Sequence, residues 1–227
     1  MKIAAISDTH GNLPEIPSCD IFIHAGDICP ATNHTRGYQS NWLNDKFSPW
    51  LDKIDAKHKI IIAGNHDWIW YDAKNMVPDL DCTYLEDSFV VINGVKFYGS
   101  PWSPHFCDWA FNFRPNDWQE AQRKWLEIPL DTDVLITHGP PRGHGDLVKE
   151  PRYEQQVYKR DGCQQLMNRV LEVDPKIHIF GHFHMNGVGA KSDMPEHSQQ
   201  TIFYNVSVLD EKYRLKGKAT IIEIFPD

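Results

Sequence analysis

Residues 60–67 read Ile-Ile-Ile-Ala-Gly-Asn-His-Asp, and this stretch limits the fold more than any other in the chain. Its first part is a short apolar run rich in β-branched residues, the pattern of a strand buried on both faces. The run stops at Gly64, where a backbone without Cβ can turn sharply or come close to a ligand. Asn65, His66 and Asp67 follow at once. A buried strand that ends on an amide, an imidazole and a carboxylate is equipped for chemistry. In open α/β sheets, sites gather at the carboxyl ends of the strands.

The pattern recurs along the chain. Residues 2–7 read as a buried strand that delivers Ser7-Asp8-Thr9-His10-Gly11. In extended backbone Asp8 and His10 point to one side and can share a metal ion; a plain turn with Asp8 capping a helix is the other reading. Residues 19–24 form a second apolar run, ending in His24-Ala25-Gly26-Asp27. His24 sits inside that strand and reads as a hydrogen-bonded core histidine. Residues 133–137 deliver His138-Gly139-Pro140-Pro141, and residues 176–180 deliver Gly181-His182-Phe183-His184.

Between these runs the periodicity predicts helices over residues 38–54, 116–128 and 161–173. Pro49 is expected to split the first, and Asn116 or Asp117 to cap the second. Residues 68–71 read as a short helical segment in a cleft wall. Strands are expected at 83–85, 89–92 and 95–99, with Asn93-Gly94 as a two-residue hairpin turn, and at 202–206 and 219–225. Residues 30–37, 142–146 and 185–200 read as loops. The aromatic loop 100–113 either stacks a nucleobase or plugs the core beneath a long loop.

The 227 residues suffice for one substantial core, with about 70% of the unfolded surface buried, and no linker-like shift in composition divides residues 1–227. A net charge of −8 argues against a basic groove for long nucleic acid. Five cysteines, odd in number and without a close pair, point to free thiols and a reducing compartment. The N-terminus reaches Asp8 after few apolar residues, so neither a signal peptide nor a membrane span is expected. A soluble, cytoplasmic protein is the expectation; oligomeric state is open.

Five strand ends thus carry two aspartates, one asparagine and five histidines. Such a mixed oxygen and nitrogen set suits Mn²⁺, Fe²⁺ or Zn²⁺ better than Mg²⁺ or Ca²⁺. It is too large for one four-coordinate ion and divides well between two divalent ions.

In their order, Asp8-Thr-His10-Gly, Gly26-Asp27, Gly64-Asn65-His66-Asp67, Thr137-His138-Gly-Pro-Pro141 and Gly181-His182-Phe-His184 resemble the calcineurin-like metallophosphoesterases. Residues 61–66, Tyr98-Gly-Ser-Pro-Trp102 and residues 137–141 are similar to the brain-type metallophosphodiesterases, grouped with the class III cyclic-nucleotide phosphodiesterases. The resemblance implies an α/β fold, a four-layer αββα sandwich of two mixed β-sheets flanked by helices. It implies that Asp8, His10 and His184 hold one metal, that Asn65, His138 and His182 hold the other, and that Asp27 bridges them. His66 would protonate the leaving oxygen. Two such ions about 3.5–4 Å apart clamp phosphate oxygens and activate a bridging water, and a placed acid adds on the order of 10²–10⁴-fold.

One stretch departs from the family. Many members carry a second aspartate shortly after the bridging one, which orients the catalytic histidine, and then an arginine that grips a monoester. Here Pro30 stands in place of that aspartate, and the arginine is absent. Arg142 or His144 is a candidate for the missing charge, and Trp102 for substrate contact. The reading is a metal-dependent phosphodiesterase of small nucleotides or related diesters, including cyclic ones. A phosphomonoesterase or nuclease of the same superfamily, and a scaffold without catalysis, are the alternatives.

Overall fold

Short runs that are apolar on both faces can be satisfied only between layers, and two stacked sheets supply them. The computed structural model of the chain describes residues 1–149, 158–184, 191–192 and 201–225. The first sheet holds β1 (Lys2–Ile6), β2 (Cys19–Ala25), β3 (Ala56–Ile62), β4 (Thr83–Tyr84) and β13 (Thr220–Glu223), in the order β13-β1-β2-β3-β4. The second holds β5 (Ser88–Ile92), β6 (Val95–Ser100), β7 (Val134–Thr137), β10 (Ile177–Phe180), β11 (Lys191–Ser192) and β12 (Ile202–Asn205), in the order β11-β12-β10-β7-β6-β5. Both are mixed: β13 runs antiparallel to β1, as β5 does to β6, while β1, β2 and β3, and likewise β6, β7 and β10, run parallel.

The layers follow from which face each residue presents. Ile3, Ile23, Ile60 and Ile62 meet Phe97, Val134, Ile136 and Ile179 between the sheets, all fully buried. Each such side chain contributes roughly 1.5–3 kcal/mol of burial. The opposite face of the first sheet, with Ile6, Phe22 and Ile61, packs on Leu43, Phe47 and Leu51. The opposite face of the second, with Leu135, Phe180 and Phe203, packs on α4 (Trp118–Trp125) and α5 (Gln164–Val173) through Trp125, Leu166 and Val170. The result is the helix–sheet–sheet–helix stack that the family resemblance implies. No helix among the described residues is long and apolar enough to cross a membrane.

Local chemistry explains most boundaries. Asn93 and Gly94 both take positive φ, 50° and 83°, which closes the β5–β6 hairpin. Asp117 caps α4 by accepting from the Glu120 amide at 2.8 Å. The helix over 38–54 is not cut by Pro49. It runs as α1 (Arg36–Trp42), a π-turn over Leu43–Phe47 and α2 (Ser48–Leu51). The Ser48 amide donates five residues back to the Leu43 carbonyl, and this wider turn accommodates the proline ring. The segment at 68–71 is α3 (Trp68–Asp72). The third predicted helix begins at Gln164, not 161, because the loop after His138 returns as a small hairpin, β8 (Leu147–Lys149) with β9 (Tyr158–Arg160). Of the loop expected over 185–200, only the strand at 191–192 lies within the described residues.

Candidate metal centre

The carboxyl ends of β1, β2, β3, β7 and β10 converge on one edge of the sheet pair, and the turns there interlock. The Asp8 amide donates to the Gly26 carbonyl at 2.9 Å, the His10 amide to the Asp27 carbonyl at 3.0 Å, and the Gly181 amide to the His138 carbonyl at 2.9 Å. Four residues at this edge take positive φ without being glycine: Asp8 (55°), His10 (42°), Asp27 (56°) and His182 (70°). Such backbone costs on the order of 1 kcal/mol or more each and persists where the surroundings over-determine it.

The donor atoms fall into three overlapping groups, each within 4.8 Å: Asp8, His10 and His184; Asp8, Asp27 and His138; and His10, Asp27 and His66. Asp8, His10 and Asp27 each belong to two of the three groups, which links them into one centre. Asn65 joins through Oδ1, 2.8 Å from His138 Nε2, and the His182 ring stands 5.0 Å from that of His138. His66 is the residue whose place in a donor group goes beyond the role the resemblance implies.

The ring orientations fit metal ligation. His138 Nδ1 is 3.0 Å from the Ala25 carbonyl, and His184 Nδ1 is 3.2 Å from the Asp210 carbonyl. Each carbonyl fixes the proton on Nδ1 and leaves Nε2 for a cation, the usual support for a ligating imidazole. Nε2 of His138 faces Asp27 Oδ2 at 3.4 Å, and Nε2 of His184 faces Asp8 Oδ1 at 3.6 Å. Among the described residues, buried His10 Nδ1 and Asn65 Nδ2 have no hydrogen-bond partner; the amide nitrogen only donates, so a cation would meet Asn65 at Oδ1. Burial opposes the charge on every group here. It lowers His10 to about 4 and His182 to about 3. For Asp8 and Asp27 burial pushes upward, but neighbouring imidazoles outweigh it and hold both carboxylates ionised. Burial pushes His138 down, yet the charges of Asp27 and Asp8 hold it up near 9. The protein thus concentrates two carboxylates that a cation would neutralise.

Gly64 is required by proximity. A Cβ there would overlap the Asp27 backbone nitrogen and Oδ1 and sit 2.8 Å from His138 Cε1. A Cβ at Gly181 would overlap Ser7 Oγ and Asp8 Oδ2. Asp67, fully buried, accepts from the amides of Ile28, Cys29 and Gly64 at 2.8–3.1 Å and so ties the β2 and β3 turns together. Burial, and then the Asp27 charge, raise its carboxyl to about 7.

His10, Asp27, Asn65, His66, His182 and His184 line a cleft of about 420 Å³, with Asp8 and His138 fully buried. Tyr213 stands over the His10 and His184 rings at 4.9 and 5.1 Å, and Trp109 lies against His66 at 4.2 Å. Two larger surface grooves lie elsewhere, one along the amino-terminal end of β3 and one between α4 and the start of α5. Among the described residues, neither holds one of the three donor groups.

The other residues singled out in the sequence lie away from the cleft. Arg142 is exposed and donates to the Arg160 carbonyl at 3.3 Å. His144 is buried and stacks on Phe203 at 3.7 Å, because the loop after His138 folds back over the second sheet. The Trp102 indole donates to Asp87 at 3.0 Å and stacks on Phe113. The aromatic loop therefore divides: Trp102, Phe111 and Phe113 pack inward, while Phe106 and Trp109 face the cleft. Residues not singled out are His34 and Gln39. His34 Nε2 lies 2.8 Å from His66 Nδ1, and the Gln39 amide donates to the His66 carbonyl at 2.8 Å. The Pro30 substitution was their only signal, since it leaves His66 Nδ1 in need of a partner.

The profile of the calcineurin-like phosphoesterases matches residues 1–186. The chain is 33% identical to metallophosphoesterase domain-containing protein 1 of Homo sapiens, over 98% of this chain and 71% of that one. It is 32% identical to UPF0046 protein C25E10.12 of Caenorhabditis elegans, over 99% of this chain and 81% of that one. Among solved structures, TT1561 of Thermus thermophilus shares the fold at a TM-score of 0.55 and 16% identity, over 95% of this chain and 96% of that one. Strand-end donors, fold and relatives agree: the chain belongs to the calcineurin-like phosphoesterase family.

Proposed function

We propose that the protein is a two-metal phosphodiesterase of small nucleotide or related diesters, cyclic ones included. Asp8, His10 and His184 would hold one divalent ion, Asn65, His138 and His182 a second, with Asp27 common to both. Manganese, iron or zinc suits this donor set. When bound, such ions polarise phosphoryl oxygens and supply an activated water.

The chain's own residues do the rest. His66 is held at the cleft floor, its amide donating to Asp27 Oδ1 at 2.8 Å. With Nδ1 taken by His34, Nε2 is the nitrogen available to hand a proton to the leaving oxygen. An alkoxide is a poor leaving group near neutral pH, so this transfer is worth on the order of 10²–10⁴-fold. Phe106 and Trp109 offer an aromatic wall on which a planar base can stack.

The observation that carries the diester reading is the charge of the cleft. Among the described residues no lysine or arginine lines it, while Asp161 and Glu211 add to Asp27. A monoester brings nearly two negative charges at neutral pH and has no guanidinium or ammonium to meet the second. A diester brings one.

The test is to strip the protein of metal, restore Mn²⁺ and compare bis-p-nitrophenyl phosphate with p-nitrophenyl phosphate. Faster diester turnover is the expected result. Faster monoester turnover overturns the diester reading, and no turnover with two metals bound overturns the enzymatic one.

A further inference from the structure

His66 is gripped by its neighbours on three sides, twice through its backbone and once through its ring. Its amide donates to Asp27, its carbonyl accepts from Gln39, and its Nδ1 meets His34 Nε2 at 2.8 Å, with the two rings 4.9 Å apart. Two of these three contacts come from one segment, the loop and first turns of α1. That segment is anchored independently. Gln39 is fully buried and also accepts from the Ile69 amide at 2.9 Å. Asn33 Oδ1 accepts from both the amide and the hydroxyl of Thr35, at 3.0 and 2.8 Å. Arg36 donates to the His34 carbonyl at 3.2 Å, pairs with Asp72 and lies over the Trp68 ring at 4.5 Å. His34 is therefore presented by a braced loop, while Pro30, with no side-chain donor or acceptor, lies beside Gly11.

We infer that His34 is the positioning residue of His66, and that it fixes the proton of the neutral ring on Nε2. This rests on the proposed acid role of His66. The reason lies in hydrogen-bond chemistry. A carboxylate only accepts, so beside Nδ1 it requires a proton on Nδ1 and leaves the neutral ring bare at Nε2. A neutral imidazole both donates and accepts. If His34 donates from Nε2, His66 Nδ1 accepts and the proton of the neutral His66 sits on Nε2, toward the leaving oxygen. If His66 is cationic, it donates from Nδ1 to His34 and still carries a proton on Nε2. In both of these arrangements Nε2–H faces the cleft, which is what an acid at that position needs; the remaining one, a neutral His66 donating from Nδ1 to His34, leaves Nε2 bare and is the outcome that overturns the proposal.

The experiment uses the full chain loaded with Zn²⁺, with two readouts. The first is the tautomer of His66 from long-range ¹H–¹⁵N spectra of histidine-labelled protein, with His66→Ala to assign the ring. The expected result is a neutral ring protonated on Nε2 in the wild type, moving to Nδ1 in His34→Asp. A wild-type ring protonated on Nδ1 overturns the proposal. The second is leaving-group dependence at equal metal content. His34→Ala should lose about 10²-fold in kcat on an alkyl diester, with KM held, and stay within about threefold on a p-nitrophenyl diester, whose leaving group needs no acid. His34→Gln, which can donate and accept at similar reach, should restore most of the loss. Equal losses on both esters, or none on either, overturn the proposal. A wild type inactive on every diester would defeat the functional reading alone, because the spectra still decide the hydrogen bond.

Discussion

Gly64→Ala sets the close approach of β3 to Asp27 against an ordinary helix position, Gly37→Ala. At 64 the added Cβ overlaps the Asp27 backbone nitrogen and Oδ1 and stands 2.8 Å from His138 Cε1. Carbon contacts are comfortable at about 3.5–4.0 Å, so Asp27 and His138 must retreat by roughly 1 Å. Overpacking of this kind costs about 1–3 kcal/mol, and for a chain of this length each kcal/mol moves Tm by about 2–4 °C. A fall of about 2–12 °C is expected. Both displaced residues carry donor atoms, so the change should also weaken metal binding, and a 1 Å misplacement costs about 10² in rate. Gly37 lies exposed in α1 with nothing within 4 Å of an added Cβ. There the same methyl raises helix propensity by about 0.5–1 kcal/mol and should lift Tm by about 1–4 °C with metal content unchanged. The assay is thermal unfolding together with metal analysis of both variants. A Gly64→Ala protein that binds metal and turns over like the wild type would refute the reasoning.

Three further outcomes are expected. Saturating Mn²⁺ at 100-fold its Kd should stabilise the metal-free protein by about 2.7 kcal/mol, a rise of roughly 5–11 °C, and Asp27→Asn should abolish most of it; a full rise in that variant would remove Asp27 from the centre. Trp109→Ala should raise KM for a nucleotide diester about 5- to 150-fold while leaving an alkyl diester of equal charge within about twofold, since base stacking is worth about 1–3 kcal/mol; parallel changes would contradict the stacking wall. His178, buried beside Thr137 and remote from the cleft, is lowered to about 3 by burial and then by His144. The unfolded chain takes up its proton below about 6.5 while the folded one does not, so stability falls as pH drops from 6.5 toward 3. The slope is about 1.4 kcal/mol per pH unit. Denaturant titrations of His178→Gln should show a slope shallower by that amount, and parallel slopes would argue against it.

What was legible in the chain was whatever repeats locally. Apolar runs ending in Gly-Asp, Gly-Asn-His and Gly-His-Phe-His reveal both the buried strands and the rim they share, because a strand must place its next residue at its own end. Asn93-Gly94 and the Asp117 cap were legible for the same reason: their geometry is set within a few residues. Contacts made at long range were not. His34 meets His66 across 32 positions, and nothing in a loop histidine announces that. The turn of the chain after His138 sends Arg142 outward and His144 under the second sheet, a consequence of the β8–β9 hairpin. The aromatic loop plugs the core through Phe111 and Phe113, while Phe106 and Trp109 line the cleft. Positive φ at Asp8, His10, Asp27 and His182 comes from the interlocked turns, which only the assembled sheets create.

The most direct test of the central claim counts metal and turnover together in three proteins reconstituted with Mn²⁺: wild type, His66→Ala and Asp27→Asn. The account predicts two ions and hydrolysis of an alkyl diester in the wild type, two ions with little hydrolysis of that ester in His66→Ala, and loss of both ions and hydrolysis in Asp27→Asn. If His66→Ala loses a metal in step with its activity, His66 is a ligand in the group it forms with His10 and Asp27, and its role as the acid is contradicted.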